Sequence, residues 1–456
     1  MNKLRLMLAT CAAKLIFFVC AVLKSRGSTA PGNIALKICP DFTKLMSKQI
    51  RQKIIIVCGT NGKTTTNNLI NSILTKAGYK TVCNNVGANM LGGVAAAFAK
   101  RANIFGRLDA DFATLEVDEA NLHLLFRHLT PDVITVTNLF RDQLDRYGEI
   151  DATSKLLKKA FLLAPQAQLV LNADDPVTSV FETKKENIYY NIAEKTGLLS
   201  CRERRDGSDC PKCGMALDYD YFNYGQLGKF TCKHCGYTNP VATYSASDIK
   251  IEDGSLKFTV NKNGEKEFDL NSHITGLYNV YNLLVAFSVC DTLKIEKAAS
   301  KEVLLNQRPE PGRMSKFSIR GKDVYIVLSK NPTGFNQSVT AVINDNRKKD
   351  ICILLNDNPS DGVDISWIYD VDFETLVKTK PKSYTFGGIR KHDMYLRLKY
   401  AGAPEEIMTV SENIENAINT MLSKNEKVCY ALVNYTTMHP AYLALEKLET
   451  EDRKNG

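Results

Sequence analysis

The apolar run Ile54-Ile55-Ile56-Val57-Cys58 passes directly into Gly59-Thr60-Asn61-Gly62-Lys63-Thr64-Thr65-Thr66. A continuous β-branched run bounded by glycine reads as a strand buried on both faces, the habit of parallel sheets covered by helices. The glycines let the backbone curl so that its N–H groups converge, and the start of the next helix adds partial positive charge. Lys63 can reach the terminal phosphates of a nucleotide, and the Thr64 hydroxyl can join a Mg²⁺ shell. The segment therefore predicts a triphosphate cradle, with Gly59, Thr60, Asn61, Gly62, Lys63, Thr64 and Thr65 as ATP contacts. The longer phosphate-loop pattern wants a glycine where Val57 stands, so this is a shorter variant.

Strand and helix patterns alternate beyond the cradle. Strands are expected at 79–82, 111–117, 133–137 and 168–171, with a helix at 152–164. The rhythm breaks at 197–240 and returns with strands at 247–251 and 255–260 and a helix at 279–292. Asn306-Gln307-Arg308-Pro309-Glu310-Pro311-Gly312-Arg313 reads as a hinge, because two prolines and a glycine end regular structure. A second alternation follows, with strands near 323–328, 350–355, 383–386 and 427–432. The fold class is α/β with a mostly parallel sheet, and ligands belong at the carboxyl ends of its strands. The expected divisions are a basic helical segment 1–53, a central ATP-binding domain 54–305 interrupted at 197–240, a hinge 306–314, and a Rossmann-like α/β domain 315–456.

The interruption carries its own signal. Cys210-Pro211-Lys212-Cys213-Gly214 and Cys232-Lys233-His234-Cys235-Gly236 form two Cys-x-x-Cys knuckles with eighteen residues between them. Four thiolates so spaced bind Zn²⁺ tetrahedrally, and a closed four-sulfur site has no open position for catalysis. A structural zinc ribbon is expected, with His234 facing solvent and Cys201 outside the pattern.

Charge is uneven. Residues 1–53 hold ten Lys or Arg against Asp41 alone, which accounts for the whole formal net charge of +9. The balance elsewhere argues against a nucleic-acid binder and for a local basic face. Within that region 4–23 is strongly apolar but interrupted by Lys14, and Ala21-Val22-Leu23-Lys24 makes a poor small-residue cleavage site. Leu4, Leu8, Cys11, Leu15, Phe18 and Val22 share one helical face, which fits packing on the protein, interfacial membrane contact, or a span. Thirteen scattered cysteines, partly in metal-type pairs, fit a reducing cytoplasm.

The Gly-Thr-Asn-Gly-Lys-Thr loop resembles that of the Mur ligases and folylpolyglutamate synthases, which use ATP to turn a carboxylate into an acyl phosphate that an amine attacks. The resemblance implies that Glu116, ending the third strand, is a Mg²⁺ ligand with Thr64. Asn138 with Asp142-Gln143-Leu144-Asp145 resembles the family's Asn-x-x-x-Asp-His-Leu-Asp motif, and Gly276-Leu277-Tyr278-Asn279-Val280-Tyr281-Asn282 its Gly-x-His-Asn-x-x-Asn motif. By that likeness Asn279 and Asn282 bind the adenine end and Arg313 reaches the ATP phosphates. Lys330-Asn331-Pro332, after Leu328 and Ser329, replaces the usual aspartate-led loop, so the amine-accepting side departs from a standard amino-acid ligase.

A Mur-type core with a four-cysteine ribbon and an atypical C-terminal half is similar to the MurT family, synthetase subunits of lipid II isoglutaminyl synthase. The likeness implies amidation of the D-glutamate α-carboxylate of the lipid II stem peptide, with ammonia from a separate class-I glutaminase resembling GatD in a heterodimer. It also implies that Asp357, in Leu355-Asn356-Asp357-Asn358-Pro359-Ser360-Asp361-Gly362, completes the partner's Cys–His pair. Cys58, Cys290, Cys352 and Cys429 lack the glycine-flanked elbow of a glutaminase nucleophile. The resemblance places the chain in the cytoplasm, at or near the inner membrane face where lipid II lies. Two alternatives stand beside it: a free-standing amino-acid ligase, and a zinc-ribbon scaffold protein with a vestigial ATPase fold.

Overall fold

A computed structural model of the chain describes residues 2–23, 28–84, 88–140, 150–196, 201, 208–252, 255–274, 276–307 and 313–455. The first sheet is built on β1 (Lys53–Cys58), with β3 (Phe112–Glu116) and β4 (Val133–Val136) parallel on either side of it. β2 (Thr81–Cys83) closes one edge. β5 (Gln168–Asn172), β6 (Ile188–Ile192), β9 (Tyr244–Glu252), β10 (Ser255–Lys262) and β11 (Glu265–Ser272) extend the other. The order is β11-β10-β9-β6-β5-β4-β1-β3-β2, parallel except for the antiparallel meander β9-β10-β11.

The apolar run of β1 explains its central place. Ile54, Ile55, Ile56, Val57 and Cys58 are all buried, between helix Lys63–Lys76 on one face and the N-terminal helices on the other. Burying each large aliphatic side chain contributes roughly 1.5–3 kcal/mol, so no other position in the sheet would use this run as well. The chain leaves β1 toward β2, returns through β3, and emerges on the opposite side at β4. That reversal makes the carboxyl ends of β1 and β4 a topological switch point, where open α/β sheets bind ligands. The β1–β3 register sets Val57 opposite Glu116, so the acid lies beside the start of the cradle.

Three helices, Asn2–Val22, Ala30–Ile38 and Phe42–Ser47, pack with helix Leu91–Arg101 over the first sheet. The expected elements all appear, with ends shifted by three residues at most in the clearest cases. β6 was not anticipated, since Ile188-Tyr189-Tyr190-Asn191-Ile192 is short and lacks flanking turn signals. The 197–240 segment holds the hairpin β7 (Asp218–Tyr224) and β8 (Leu227–Thr231), a sheet of its own.

The second sheet has the order β12-β13-β17-β14-β15-β16, from β12 (Arg313–Ile319), β13 (Lys322–Leu328), β14 (Lys349–Leu354), β15 (Ser383–Gly387), β16 (Met408–Val410) and β17 (Val428–Val433). All pairs are parallel except β12 with β13. Arg313 opens β12, whereas the proline-rich part of the expected hinge, 308–312, lies outside the described residues, as do Asp142, Gln143, Leu144 and Asp145.

Candidate functional site

The cradle is held open by its neighbours' side chains. Asn138 accepts a hydrogen bond from the Asn61 N–H at 2.9 Å and donates to the Asn61 carbonyl at 3.1 Å, capturing the loop's middle residue from both sides. The Thr137 hydroxyl donates to the same carbonyl at 2.7 Å, and Thr60 donates through Oγ1 to the Phe140 carbonyl at 3.1 Å. Gly62 has φ +86°, and a Cβ there would collide with Asn282 Oδ1; Gly59 has φ +119° and is equally closed by Thr137. Both glycines are fixed by close approach as well as by conformation.

Glu119 sits beneath the loop. Its Oε1 accepts from the Gly59 N–H at 2.7 Å and pairs with Lys63 Nζ at 3.1 Å, and both side chains are largely buried. Lys63 also donates to the carbonyls of Gly59 at 2.5 Å and Thr60 at 3.2 Å. Burial pushes the Glu119 carboxyl above its ordinary pKa, and the Lys63 charge opposes that shift. Sequence reasoning did not separate Glu119 from its neighbours. Asp118 instead caps the following turn, accepting from the Ala120 N–H at 3.1 Å.

Glu116 is buried at the end of β3, with its backbone clamped by Asn84 through bonds of 2.7 and 2.8 Å. Its Oε2 finds no hydrogen-bond partner among the described residues, nor does the buried Thr65 Oγ1. A buried, unbonded carboxylate oxygen beside a phosphate cradle fits a hard cation that takes oxygen ligands.

Asn279 and Asn282, near the start of helix Leu277–Thr292, lie behind the cradle. Asn282 donates to Asn279 Oδ1 at 3.0 Å, and its own Oδ1 faces Gly62. Tyr281 on the same helix donates to the buried Asp174 at 2.7 Å, and Asn223 of β7 donates to the Tyr281 hydroxyl at 3.2 Å. Gln226, at the β7–β8 turn, donates to the Leu139 carbonyl at 2.6 Å, while Asp175 accepts from the Leu139 N–H at 3.0 Å. Burial lifts Asp174 to about 7 and Asp175 to about 6, and their N–H and O–H donors pull both back. The hairpin thus ties the segment after β4, which grips the cradle, to the helix behind it. Asn331, from the second half, completes the enclosure by donating to Asn61 Oδ1 at 3.3 Å.

The thiols of Cys210, Cys213, Cys232 and Cys235 all lie within 4.8 Å of one another, with Cys210–Cys235 and Cys213–Cys232 each at 3.6 Å. Ligands about 2.3 Å from a tetrahedral centre stand nearly that far apart. The two knuckles share one pattern: Gly214 donates to the Cys210 carbonyl at 2.8 Å and Gly236 to the Cys232 carbonyl at 2.9 Å. His234 is exposed and outside the cluster. Cys201 packs instead against helix Pro332–Ile343, its thiol bonded to the Asn336 carbonyl at 3.4 Å.

At the far end, Asp357 follows β14 and accepts from Arg390 Nε at 2.9 Å and Nη2 at 2.6 Å. Asp361 is buried and accepts from the Thr436 N–H at 2.9 Å, which pins the turn to helix Tyr435–Asn455. Cys58, Cys290, Cys352 and Cys429 are buried, and burial raises each thiol, Cys429 to about 12, so all four stay protonated at neutral pH.

Comparison with known proteins shows where this arrangement recurs. Residues 57–205 match the Mur ligase middle domain, and 328–438 match the MurT ligase C-terminal family. The chain is 34% identical over 94% of its length, and 95% of the relative, to lipid II isoglutaminyl synthase (glutamine-hydrolyzing) subunit MurT of Staphylococcus aureus strain COL. The chain belongs to the MurT family. The family protein of Streptococcus pneumoniae is 32% identical, with 91% of each chain covered. Among solved structures, the pseudomurein peptide ligase type C of Methanothermus fervidus superposes with a TM-score of 0.69 at 22% identity, covering 88% of this chain and 80% of that one. The MurF ligase of Thermotoga maritima in complex with ADP gives 0.64 at 13% identity, covering 92% and 85%. These two show that the chain shares the Mur ligase fold.

In this MurT family member, Gly62→Ala should lower ATP-analogue affinity at least tenfold, because the added methyl meets Asn282 Oδ1 and the left-handed backbone costs about 1–2 kcal/mol more. Calorimetric titration checks this; unchanged affinity would show that Gly62 does not shape the nucleotide site.

Proposed function

We propose that this chain is the synthetase subunit that amidates the α-carboxylate of D-glutamate in the stem peptide of lipid II, in peptidoglycan synthesis. The observation that carries the reading is the joining of a complete Mur-type phosphate cradle to a MurT C-terminal half over nearly the full length of named MurT relatives. A carboxylate oxygen attacks the γ-phosphorus of ATP and ADP leaves, giving an acyl phosphate. Ammonia then attacks the carbonyl carbon, phosphate leaves with the bridging oxygen, and the proton given up by nitrogen ends on that phosphate. In this reading the N–H groups at the start of helix Lys63–Lys76 hold the phosphates, and Lys63 neutralises charge that grows on the transferred group. Lys63 rests on Glu119 and the loop carbonyls until phosphate oxygens compete for it. Glu116 and Thr64 would hold Mg²⁺, which supplies neutralisation of the β- and γ-phosphate oxygens when bound. Asn279, Asn282 and Arg313 complete the nucleotide contacts in this reading, and the four cysteines hold a structural Zn²⁺.

Ammonia comes from a GatD-like class-I glutaminase paired with this chain in a heterodimer. Asp357 orients the partner's catalytic imidazole, as the third member of a triad does. Arg390 holds the carboxylate through Oδ2, and Oδ1 is assigned to the partner's ring N–H. Asp361 is committed to Thr436, which favours Asp357 for this role. The complex works in the cytoplasm, peripheral to the inner membrane face. An amino-acid ligase is disfavoured because Lys330-Asn331-Pro332 turns Asn331 onto the cradle, where it also caps helix Pro332–Ile343.

With the partner present, Asp357→Asn should cut glutamine-driven amidation by about 10³-fold or more, since the amide holds the wrong tautomer and cannot stabilise an imidazolium. High ammonium should restore product in this variant but not in Lys63→Ala or Glu116→Gln. Failure of ammonium rescue would move Asp357 to the synthetase step; undiminished glutamine use would make it a turn residue only. Purified chain should carry one zinc ion, and Cys213→Ser should lose metal and melt lower together. Metal-free protein with the same melting temperature would refute the ribbon's metal.

A further inference from the structure

Lys3, Arg5 and Lys14 meet a stripe of exposed apolar side chains on the N-terminal helix. Helix Asn2–Val22 buries Ala9, Thr10 and Ala13, with Leu6 and Phe17 packed against the core. At 3.6 residues per turn, Leu4, Leu8, Cys11, Leu15, Phe18 and Val22 fall on the opposite side within an arc of about 80°. All six are exposed, Leu15 at 62% and Phe18 at 67%. The loop after helix Leu91–Arg101 adds Ile104 and Phe105, the latter 64% exposed, beside this stripe. The Cys11 thiol donates to the Ile104 carbonyl at 3.4 Å and Lys14 Nζ to the Lys100 carbonyl at 3.4 Å, which seats the loop against the helix. Lys3, Arg5 and Lys14 border the stripe, Lys100, Arg101 and Arg107 flank the loop, and Asp41 is the single acid in residues 1–53.

We propose that this stripe, with Ile104 and Phe105, lies flat in the headgroup region of an anionic bilayer while the basic rim contacts lipid phosphates. The inference deepens the peripheral-membrane reading above and rests on it, yet it is testable without substrate or turnover. The helix is long and apolar enough to cross a bilayer by length and composition. Its other face is already packed on the protein, however, and Lys14 would stand near the centre of a span. A second copy of the same face would bring the two basic rims together, which like-charge repulsion opposes. An anionic surface satisfies both the apolar stripe and its rim.

The test is co-sedimentation of the full chain, with its partner, on phosphatidylglycerol–phosphatidylcholine vesicles that contain no lipid II. The wild type should bind at low salt and lose about tenfold in affinity in high salt or on phosphatidylcholine alone. Phe18→Glu and Phe105→Glu should each weaken binding about tenfold while ATP-analogue affinity is unchanged. Equal binding of both variants overturns the proposal, as does absence of wild-type binding at low salt. A concentration-dependent dimer that Phe18→Glu abolishes, without vesicle binding, assigns the face to a second copy and also overturns it. Since no turnover is read, failure here leaves the amidation reading standing.

Discussion

One buried carboxylate organises the cradle. Glu119 Oε1 holds the Gly59 N–H and Lys63 Nζ together, so the first residue of the loop and its only cation share an anchor. Taking both charges from water is costly, and removing one partner from such a pair costs about 3–5 kcal/mol. The pair folds Lys63 into the loop, where it also donates to the Gly59 and Thr60 carbonyls. Everything that grips the loop from outside, from Asn138 and Thr137 to Asn282 and Asn331, depends on Gly59 and Gly62 keeping their backbone curve.

The cysteine-rich insertion is tied to this centre. Its hairpin reaches Leu139 through Gln226 and Tyr281 through Asn223, linking the residues that clasp Asn61 to the helix bearing Asn279 and Asn282. Tyr237, between the knuckle and the sheet, donates to the Pro176 carbonyl at 2.8 Å and pairs with Ser179 at 2.6 Å. A metal-closed knuckle would stiffen a small hairpin that has little core of its own, chiefly Phe230, Tyr237 and the cysteines. Its ties to the cradle are therefore mechanical.

Much of this was legible in the sequence, for identifiable reasons. The β1 run and its glycines announce themselves because burial on both faces leaves no polar alternation, and Cys-x-x-Cys spacing encodes its geometry locally. Glu119 was not legible: Glu116, Asp118 and Glu119 lie within four residues, and only the turn capped by Asp118 decides which acid faces the loop. The grip of Asn138 on Asn61 and of Tyr281 on Asp174 spans 77 and 107 residues, beyond any local pattern. β12 was hidden by the hinge prolines before it, and its antiparallel pairing with β13 is a property of the assembled sheet.

In the proposed reading the two halves of the chain divide the labour: carboxylate activation at the cradle, and support of an ammonia-producing partner at Asp357. The most direct measurement follows oxygen through activation. Lipid II carrying ¹⁸O in the D-glutamate α-carboxylate is turned over with ATP and ammonium. Attack of that carboxylate on the γ-phosphorus predicts ¹⁸O transfer into inorganic phosphate in step with amide formation. Unlabelled phosphate, or label in AMP, would contradict an acyl phosphate made at this cradle.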